Sequence, residues 1–241
     1  MKIALFGYGK MGKMIENIAL SRGHHICCVI DPSLKQPLSI SSLRNADIAI
    51  EFSTPESAFE NYKLCFKAKL PVVSGTTGWL HDWDKLIKLV NDNELGFFYA
   101  SNFSLGLKLV MKLNAQLAKL MSNQQGYTVH IEETHHVHKK DAPSGTAISL
   151  AKEIEKYYPF YHNWILNETG EPDEIPIYVT REGKVPGKHS INWVSENDKI
   201  SLNHESFGRE GFATGAILAA EYLIGRKGIY SMDDLMKSIN I

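Results

Sequence analysis

Short continuous apolar runs alternate with apolar positions at helical spacing through the first hundred residues. Residues 2–6 (KIALF) and 26–30 (ICCVI) are two such runs, and Met11, Ile15, Ile18 and Ala19 mark one face of a helix between them. Runs at 46–52, 70–74 and 95–100 also read as strands. Helices are expected from 53 to about 67, with Pro55 in a first turn, and from about 81 to 91. Apolar strands alternating with helices predict an α/β fold with a parallel, doubly wound sheet.

The pattern changes after 104. Residues 104 to about 122 read as a long helix with Leu109, Leu113, Leu117 and Leu120 on one face. From 127 to 133 the alternation is strict: Tyr127, Val129 and Ile131 against Thr128, His130 and Glu132. Such a strand is covered on one face only. Further strands are expected at 177–181, 190–194 and 199–204, with a loop at 170–176 containing Pro172 and Pro176. A second α+β domain with an open mixed or antiparallel sheet follows, at 104–210. From 211 the chain is helical again, with Ala213, Ala216, Ile217, Ala219, Ala220, Leu223 and Ile224 apolar over most of the circumference. That helix should be buried against the first domain, which then comprises 1–103 and 211–241. Residues 232–239 close the chain as a short helix.

Composition narrows the functional classes. Of 241 residues 44% are hydrophobic and 22% charged, and the net charge is -1, the profile of a soluble globular protein. No long Lys/Arg run exists, so nucleic acid and anionic membrane are not expected partners. No apolar stretch is long enough to span a bilayer, and the opening apolar run is too short for a signal peptide. A cytoplasmic protein is expected. Cys27, Cys28 and Cys65 lack metal-ligand spacing and read as buried reduced thiols.

The first candidate chemistry is Gly7-Tyr8-Gly9-Lys10-Met11-Gly12, placed between a strand and a helix. In that context the first glycine permits a tight turn, the second lets backbone approach a pyrophosphate, and the third packs helix on strand. The result is a Rossmann-type dinucleotide site; the alternative is a glycine turn that binds nothing. Asp31 closes the second strand, where a carboxylate accepts hydrogen bonds from an adenosine ribose. It would repel a 2′-phosphate and so favour NADH, although Ser33 and Lys35 are near enough to blunt that repulsion and leave NADPH open. Phe52 and Ser53, then Gly75, Thr76 and Thr77, then Ala100, Ser101, Asn102 and Phe103, all follow strand ends, where such sheets hold ligands.

The second is residues 132–147, E-E-T-H-H-V-H-K-K-D-A-P-S-G-T-A. Imidazoles at His135, His136 and His138 titrate near neutrality, and Lys139 and Lys140 are cations. Ser144, Gly145 and Thr146 open a helix, offering hydroxyls and N–H groups to a carboxylate. A solvated polar loop is an alternative. So is a metal site, opposed by the neighbouring lysines and by the lack of a carboxylate or cysteine at suitable spacing.

The run from Glu133 through His135, His136, Lys139, Asp141, Ser144, Gly145 and Thr146 to Ala147 resembles the signature of the 4-hydroxy-tetrahydrodipicolinate (dihydrodipicolinate) reductases of lysine and diaminopimelate biosynthesis. The resemblance extends to the amino-terminal glycines, the turn at 75–78, Ser101 to Ser104, Gly187-Lys188-His189, His204 and the run from Arg209 to Ala216. It implies reduction by NADH and/or NADPH of a small cyclic dicarboxylate, (2S,4S)-4-hydroxy-2,3,4,5-tetrahydrodipicolinate, to tetrahydrodipicolinate, in which dehydration gives a conjugated dihydropyridine that accepts hydride from nicotinamide at C4. His135 matches the acid/base histidine and Lys139 the catalytic lysine. His136, Ser144, Gly145 and Thr146 match substrate contacts. The glycine turn, Asp31, Gly75, Thr76, Thr77 and residues 100–103 match cofactor contacts. No metal is implied, and a homotetramer joined through the second domain is. The arginine that many members carry just after the second strand is absent beside Asp31, which leads to an expectation of NADH preferred or equal to NADPH. Rival readings are another nicotinamide-dependent reductase of a cyclic imine or amino acid, and a non-catalytic dinucleotide sensor.

Overall fold

Each short apolar run becomes a strand whose successive side chains enter opposite layers. In the computed structural model, which describes residues 1–34 and 40–239, the order is β1 (Lys2–Phe6), α1 (Lys10–Ser21), β2 (His25–Ile30), α2 (Ile40–Leu43), β3 (Ile48–Glu51), α3 (Pro55–Lys67), β4 (Val72–Ser74), α4 (Trp83–Asn93) and β5 (Gly96–Tyr99). The chain divides into two units, Met1–Leu105 with Arg209–Ile241, and Gly106–Gly208.

In the first unit six parallel strands run in the order β11-β5-β4-β3-β1-β2, where β11 is Gly228–Tyr230. Ile3, Leu5, Ile48, Ile50, Val73 and Phe98 pack on one side with Ile15 and Ala19 of α1. Ala4, Phe6, Ala49, Val72 and Phe97 pack on the other with Tyr62, Phe66 and Leu86 of α3 and α4. This is the two-residue period of a strand covered on both faces, and each fully buried large apolar side chain contributes about 1.5–3 kcal/mol. The chain leaves β1 towards β2 on one side and returns as β3 on the other, so the crevice beyond the carboxyl ends of β1 and β3 is the topological switch point.

Helix α7 (Glu210–Leu223) buries Ala213, Ala216, Ile217, Ala219, Ala220 and Leu223 in the first layer. It lies so close to the 101–103 turn that a Cβ on Gly215 would sit 1.9 Å from the Phe103 carbonyl oxygen. Helix α8 (Met232–Ser238) begins at a capping box between Ser231 and Asp234.

The second unit holds α5 (Leu105–Met121, its first residue in the first unit), β6 (Thr128–His135), α6 (Gly145–Tyr157), β7 (Asn163–Leu166), β8 (Glu174–Arg181), β9 (Gly187–Val194) and β10 (Lys199–Ser206). Its sheet, ordered β10-β9-β6-β8-β7, is mixed: β10–β9–β6 antiparallel and β6–β8–β7 parallel. Val129, Ile131, Ile177, Ile191 and Trp193 on one face pack against Ala147, Leu150, Ala151 and Ile154 of α6 and Ala118 and Met121 of α5.

Several expectations need correction. Helix α5 is rotated from the leucine stripe: Leu113 and Leu120 are exposed, while Leu107, Asn114, Ala118 and Met121 are buried. The buried Asn114 amide donates to the Leu150 carbonyl, so α5 meets α6 through a polar contact. Strand β8 begins inside the expected loop. Pro176 is accommodated because it precedes Ile177, the first β8 residue paired with β6. Strands β7 and β11 were not expected. Lys35 lies outside the described residues.

Candidate functional site

At the switch point the glycines create the space that the sheet frames. Gly7 has φ +86°, and a Cβ there would meet the Phe52 carbonyl oxygen at 2.0 Å. A Cβ on Gly12 would meet the Gly7 carbonyl at 2.2 Å, whereas Gly9 faces open space. Helix α1 starts at Gly9 with no side-chain cap, which leaves its first N–H groups for an external acceptor. A cavity of about 420 Å³ opens there, lined by Gly9, Lys10, Met11, Phe52, Ser53, Pro55, Gly75, Thr76 and Thr77.

The cavity walls are held by a buried acid. Glu51, fully buried at the end of β3, accepts from the Ser53 hydroxyl and N–H and from the Ser74 hydroxyl at 3.0 Å. The Ser53 N–H also donates to the Thr76 hydroxyl at 2.9 Å, joining the two turns that face the cavity. Asp31 accepts from the Tyr8 N–H at 2.6 Å, the Ser33 N–H at 2.8 Å and the Ser33 hydroxyl at 2.5 Å. The Ser33 hydroxyl and the Tyr8 N–H hold its carboxyl below the usual range. Glycine turn, uncapped helix start and carboxylate-bearing β2 end fit a dinucleotide's pyrophosphate and ribose.

Of the other residues expected at this site, Tyr8 donates its hydroxyl to Glu16. Phe103 packs behind Phe52, with ring centroids 5.5 Å apart. Ala100 is buried, Ser101 is exposed, and the Asn102 side-chain Oδ1 accepts from the Ser104 N–H. Gly7, Tyr8, Gly12, Asp31 and residues 100–103 do not line the cavity itself.

In the second unit the inner face of the sheet turns polar at one end. Along β6, Val129 and Ile131 give way to Glu133 and His135; along β9, Trp193 and Ile191 give way to His189. On β10, His204 pairs with His189, and on β8, Arg181 pairs with His135. The alternation that builds the core thus gathers titratable groups at its edge. Glu133, with a fully buried carboxylate, accepts from Arg181 at 3.1 Å and from the Ser144 N–H at 3.0 Å, and lies 3.7 Å from His189 Nε2. Arg181 also donates to the Asp141 carbonyl at 2.6 Å, tying down the loop that carries Lys139.

His135 Nδ1 lies 3.1 Å from the Pro186 carbonyl. A carbonyl only accepts, so Nδ1 carries the proton and neutral His135 keeps its lone pair on Nε2, which is buried and unpartnered among the described residues. A Cβ on Gly187 would lie 2.8 Å from His135 Cε1, so glycine there makes room for the ring. Burial, then the charge of His189, push the His135 pKa down; Glu133 and the Pro186 carbonyl oppose them, and the neighbouring Lys139 lowers it least. Burial raises the Glu133 carboxyl, but donors on His189, Ser144 and Arg181 outweigh it and hold it at about 2.

Lys139 Nζ lies 2.8 Å from both carboxylate oxygens of Asp141. His136 is half-buried with Nδ1 unpartnered among the described residues. Ser144 caps α6, its hydroxyl accepting from the Ala147 N–H at 3.2 Å. The N–H groups of Gly145 and Thr146 in the first turn have no intrahelical acceptor. Glu133, His135 and His189 also bring potential metal-ligand atoms within 4.8 Å of one another. The fold supplies the carboxylate that local spacing lacked, but the Arg181 guanidinium on Glu133 opposes a cation there. Glu133, Arg181, Pro186, Gly187 and His189 had no assigned role in the sequence; the polar ends of otherwise apolar strands were the signal.

Among the described residues no helix is long and apolar enough to cross a membrane. Residues 1–103 match the family profile described as dihydrodipicolinate reductase, N-terminus, and residues 106–236 the one described as dihydrodipicolinate reductase, C-terminus. The 4-hydroxy-tetrahydrodipicolinate reductase of Christiangramia forsetii is 45% identical, covering 99% of both chains. That of Caldanaerobacter subterraneus is 34% identical, covering 95% of both. The dipicolinate-bound dihydrodipicolinate reductase from Paenisporosarcina sp. TG-14 superposes with a TM-score of 0.78 at 26% identity, covering 96% of this chain and 97% of its own. Matched over both units and nearly its whole length, the chain belongs to the dihydrodipicolinate reductase family, a family of NADH- or NADPH-dependent reductases of lysine and diaminopimelate biosynthesis.

Proposed function

We propose that the first unit, with 1–103 and 211–241 as its domain, binds the dinucleotide, and that the 104–210 domain binds (2S,4S)-4-hydroxy-2,3,4,5-tetrahydrodipicolinate and joins copies of the chain into a homotetramer in the cytoplasm. The observation that carries the chemical assignment is His135, whose Nδ1 is fixed by Pro186 while Nε2 stays buried and unpartnered among the described residues.

Gly7, Tyr8, Gly9, Lys10, Met11 and Gly12 hold the pyrophosphate at the α1 start, and Asp31 accepts from the adenosine ribose. Phe52, Ser53, Gly75, Thr76, Thr77, Ala100, Ser101, Asn102 and Phe103 shape the rest of the cofactor site. Loss of the C4 hydroxyl as water gives a conjugated dihydropyridine dicarboxylate, and nicotinamide, when bound, would supply the hydride added at its C4. In the second unit, Ser144, Gly145 and Thr146 take a substrate carboxylate with their hydroxyls and free N–H groups. His136 adds a contact, and Lys139 leaves Asp141 for a substrate carboxylate. His135 is neutral in the free protein at neutral pH. The dicarboxylate raises its pKa, so that Nε2 gains a proton and delivers it to the reduced substrate.

The test couples the chain to the synthase that makes its substrate and follows NADH absorbance. A kcat lowered by about 10²–10³ in His135→Gln with NADH binding near normal supports the assignment; full turnover in that variant removes it.

A further inference from the structure

Strand β2 breaks the alternation that orders the rest of its sheet. Ile3 pairs with Ile26 and Ala4 with Cys28, so Cys27 is an extra residue, a bulge on a strand at the sheet's edge. Neighbours in a regular strand point to opposite faces. Here Ile26 and Val29 pack in one layer, whereas Cys27, Cys28 and Ile30 all pack in the other. The bulge thus turns both thiols to one side, with their sulfurs 4.0 Å apart. Both residues are partly buried, and Cys27 Sγ also lies 3.4 Å from the Ile3 carbonyl oxygen. Neither thiol takes part in the sites described above.

Distances separate the two things such a pair can do. A disulfide joins residues whose Cα atoms are about 4.4–6.8 Å apart. Neighbours across a trans peptide are only about 3.8 Å apart, so direct oxidation would have to distort the strand. A single atom bonded to both sulfurs at about 2.3 Å and at angles of about 95–110° holds them about 3.4–3.8 Å apart. That is close to the separation already present. Among the described residues no third cysteine, imidazole or carboxylate joins the pair within 4.8 Å. Zinc, which takes four ligands in structural sites, would be left half satisfied. Burial, then the Cys27 charge, push the Cys28 thiol up to about 12, which makes it slow towards reagents that need one free thiolate. We propose that Cys27 and Cys28 form a two-thiol chelation site for trivalent organic arsenicals, thiophilic centres that bring their third substituent with them. In the binding step R–As=O meets both thiols. Two S–H bonds and the As=O bond break, two As–S bonds form, and one water leaves with the arsenic still trivalent.

The test uses the full-length protein, reduced and then freed of reductant, with phenylarsine oxide as the probe. Intact-mass spectrometry should find one arsenical per chain that survives excess mercaptoethanol and is removed by 2,3-dimercaptopropanol, the behaviour of a two-thiol chelate. Cys27→Ser and Cys28→Ser should each weaken binding at least about a hundredfold, because the second As–S bond forms within the molecule. Cys65→Ala should bind as the parent does. The inference is overturned if the parent keeps no arsenical through the mercaptoethanol wash, or if either serine variant binds within about threefold of the parent. Peptide mapping of the parent adduct decides independently of how stable the variants are: an arsenical placed anywhere but on Cys27 and Cys28 also overturns it.

Discussion

The Asp141 carboxylate engages the Lys139 ammonium through both oxygens, each at 2.8 Å, although Asp141 is 60% exposed and Lys139 21%. An exposed pair of this kind is worth about 0–1 kcal/mol. A substrate carboxylate can therefore replace Asp141 at little cost. Asp141→Asn should change substrate KM by less than about fivefold, while Lys139→Ala should lose both kcat and substrate affinity. Steady-state kinetics decide; a hundredfold loss of kcat in Asp141→Asn is incompatible with simple exchange.

His135→Gln should lower kcat by about 10²–10³ with NADH affinity near normal, the usual scale for losing a general acid. Gly187→Ala tests the same ring indirectly, because the added methyl meets His135 Cε1. It should lower kcat by about tenfold while protecting the fold, as seen by an unshifted melting curve. Unaltered turnover would mean that the ring's seat is unimportant.

The lowered His135 pKa has a definite sign in the rate profile. The acid form is needed, so kcat/KM, which reports the free enzyme, should fall with rising pH along a limb below the ordinary histidine value of 6.5. In the substrate complex the dicarboxylate opposes that lowering, so the limb for kcat should lie at higher pH. Coincident limbs would show that bound substrate does not face this histidine.

Glu133 makes an opposite contribution, to stability. Its folded pKa, about 2, is below its ordinary value of 4.5. The stabilisation, about 3 kcal/mol by linkage, is complete above 4.5 and is lost as pH falls through 2. Glu133→Gln should be less stable at neutral pH and should lose less on acidification over that window. Urea unfolding from pH 7 to 2 measures both; parallel pH curves would contradict the pairing with Arg181 and Ser144.

Cofactor choice should follow Asp31, which is partly buried, ionised and unaccompanied by a neighbouring arginine at 30–34. Paired kcat/KM values should show NADH preferred or equal, and Asp31→Ser should move the ratio towards NADPH. A strong NADPH preference in the parent chain would refute this.

The amino-terminal unit was legible because its signals are local. Strand, glycines, helix and Asp31 follow one another, and the apolar runs of β1, β3 and β4 are buried on both faces; only the edge strand β2 departs, leaving Cys27 and Cys28 partly buried rather than buried as expected. Strands β7 and β11 escaped because Asn163–Leu166 and Gly228–Tyr230 are short and only partly buried. The rotation of α5 was hidden for a different reason. Its apolar residues cover a wide arc, and a buried Asn114 bonded to Leu150 decides which side faces α6, which periodicity does not register. At the candidate site, residues 132–147 announced themselves as a cluster. Arg181, Pro186 and His189 did not, because only strand pairing carries them from distant positions to Glu133 and His135.

The polar end of the second sheet has a consequence for how this protein can fail. Glu133 and His135 share a face with His189 only in the register that sets Glu133 opposite His189 and Ile131 opposite Ile191. A slip of one residue in β6 would send both to the far side of the sheet and expose Val129 and Ile131 with them. Apolar burial therefore proofreads the chemistry: a chain misaligned enough to lose its acid would also forfeit its core, and would be unfolded rather than folded and inert.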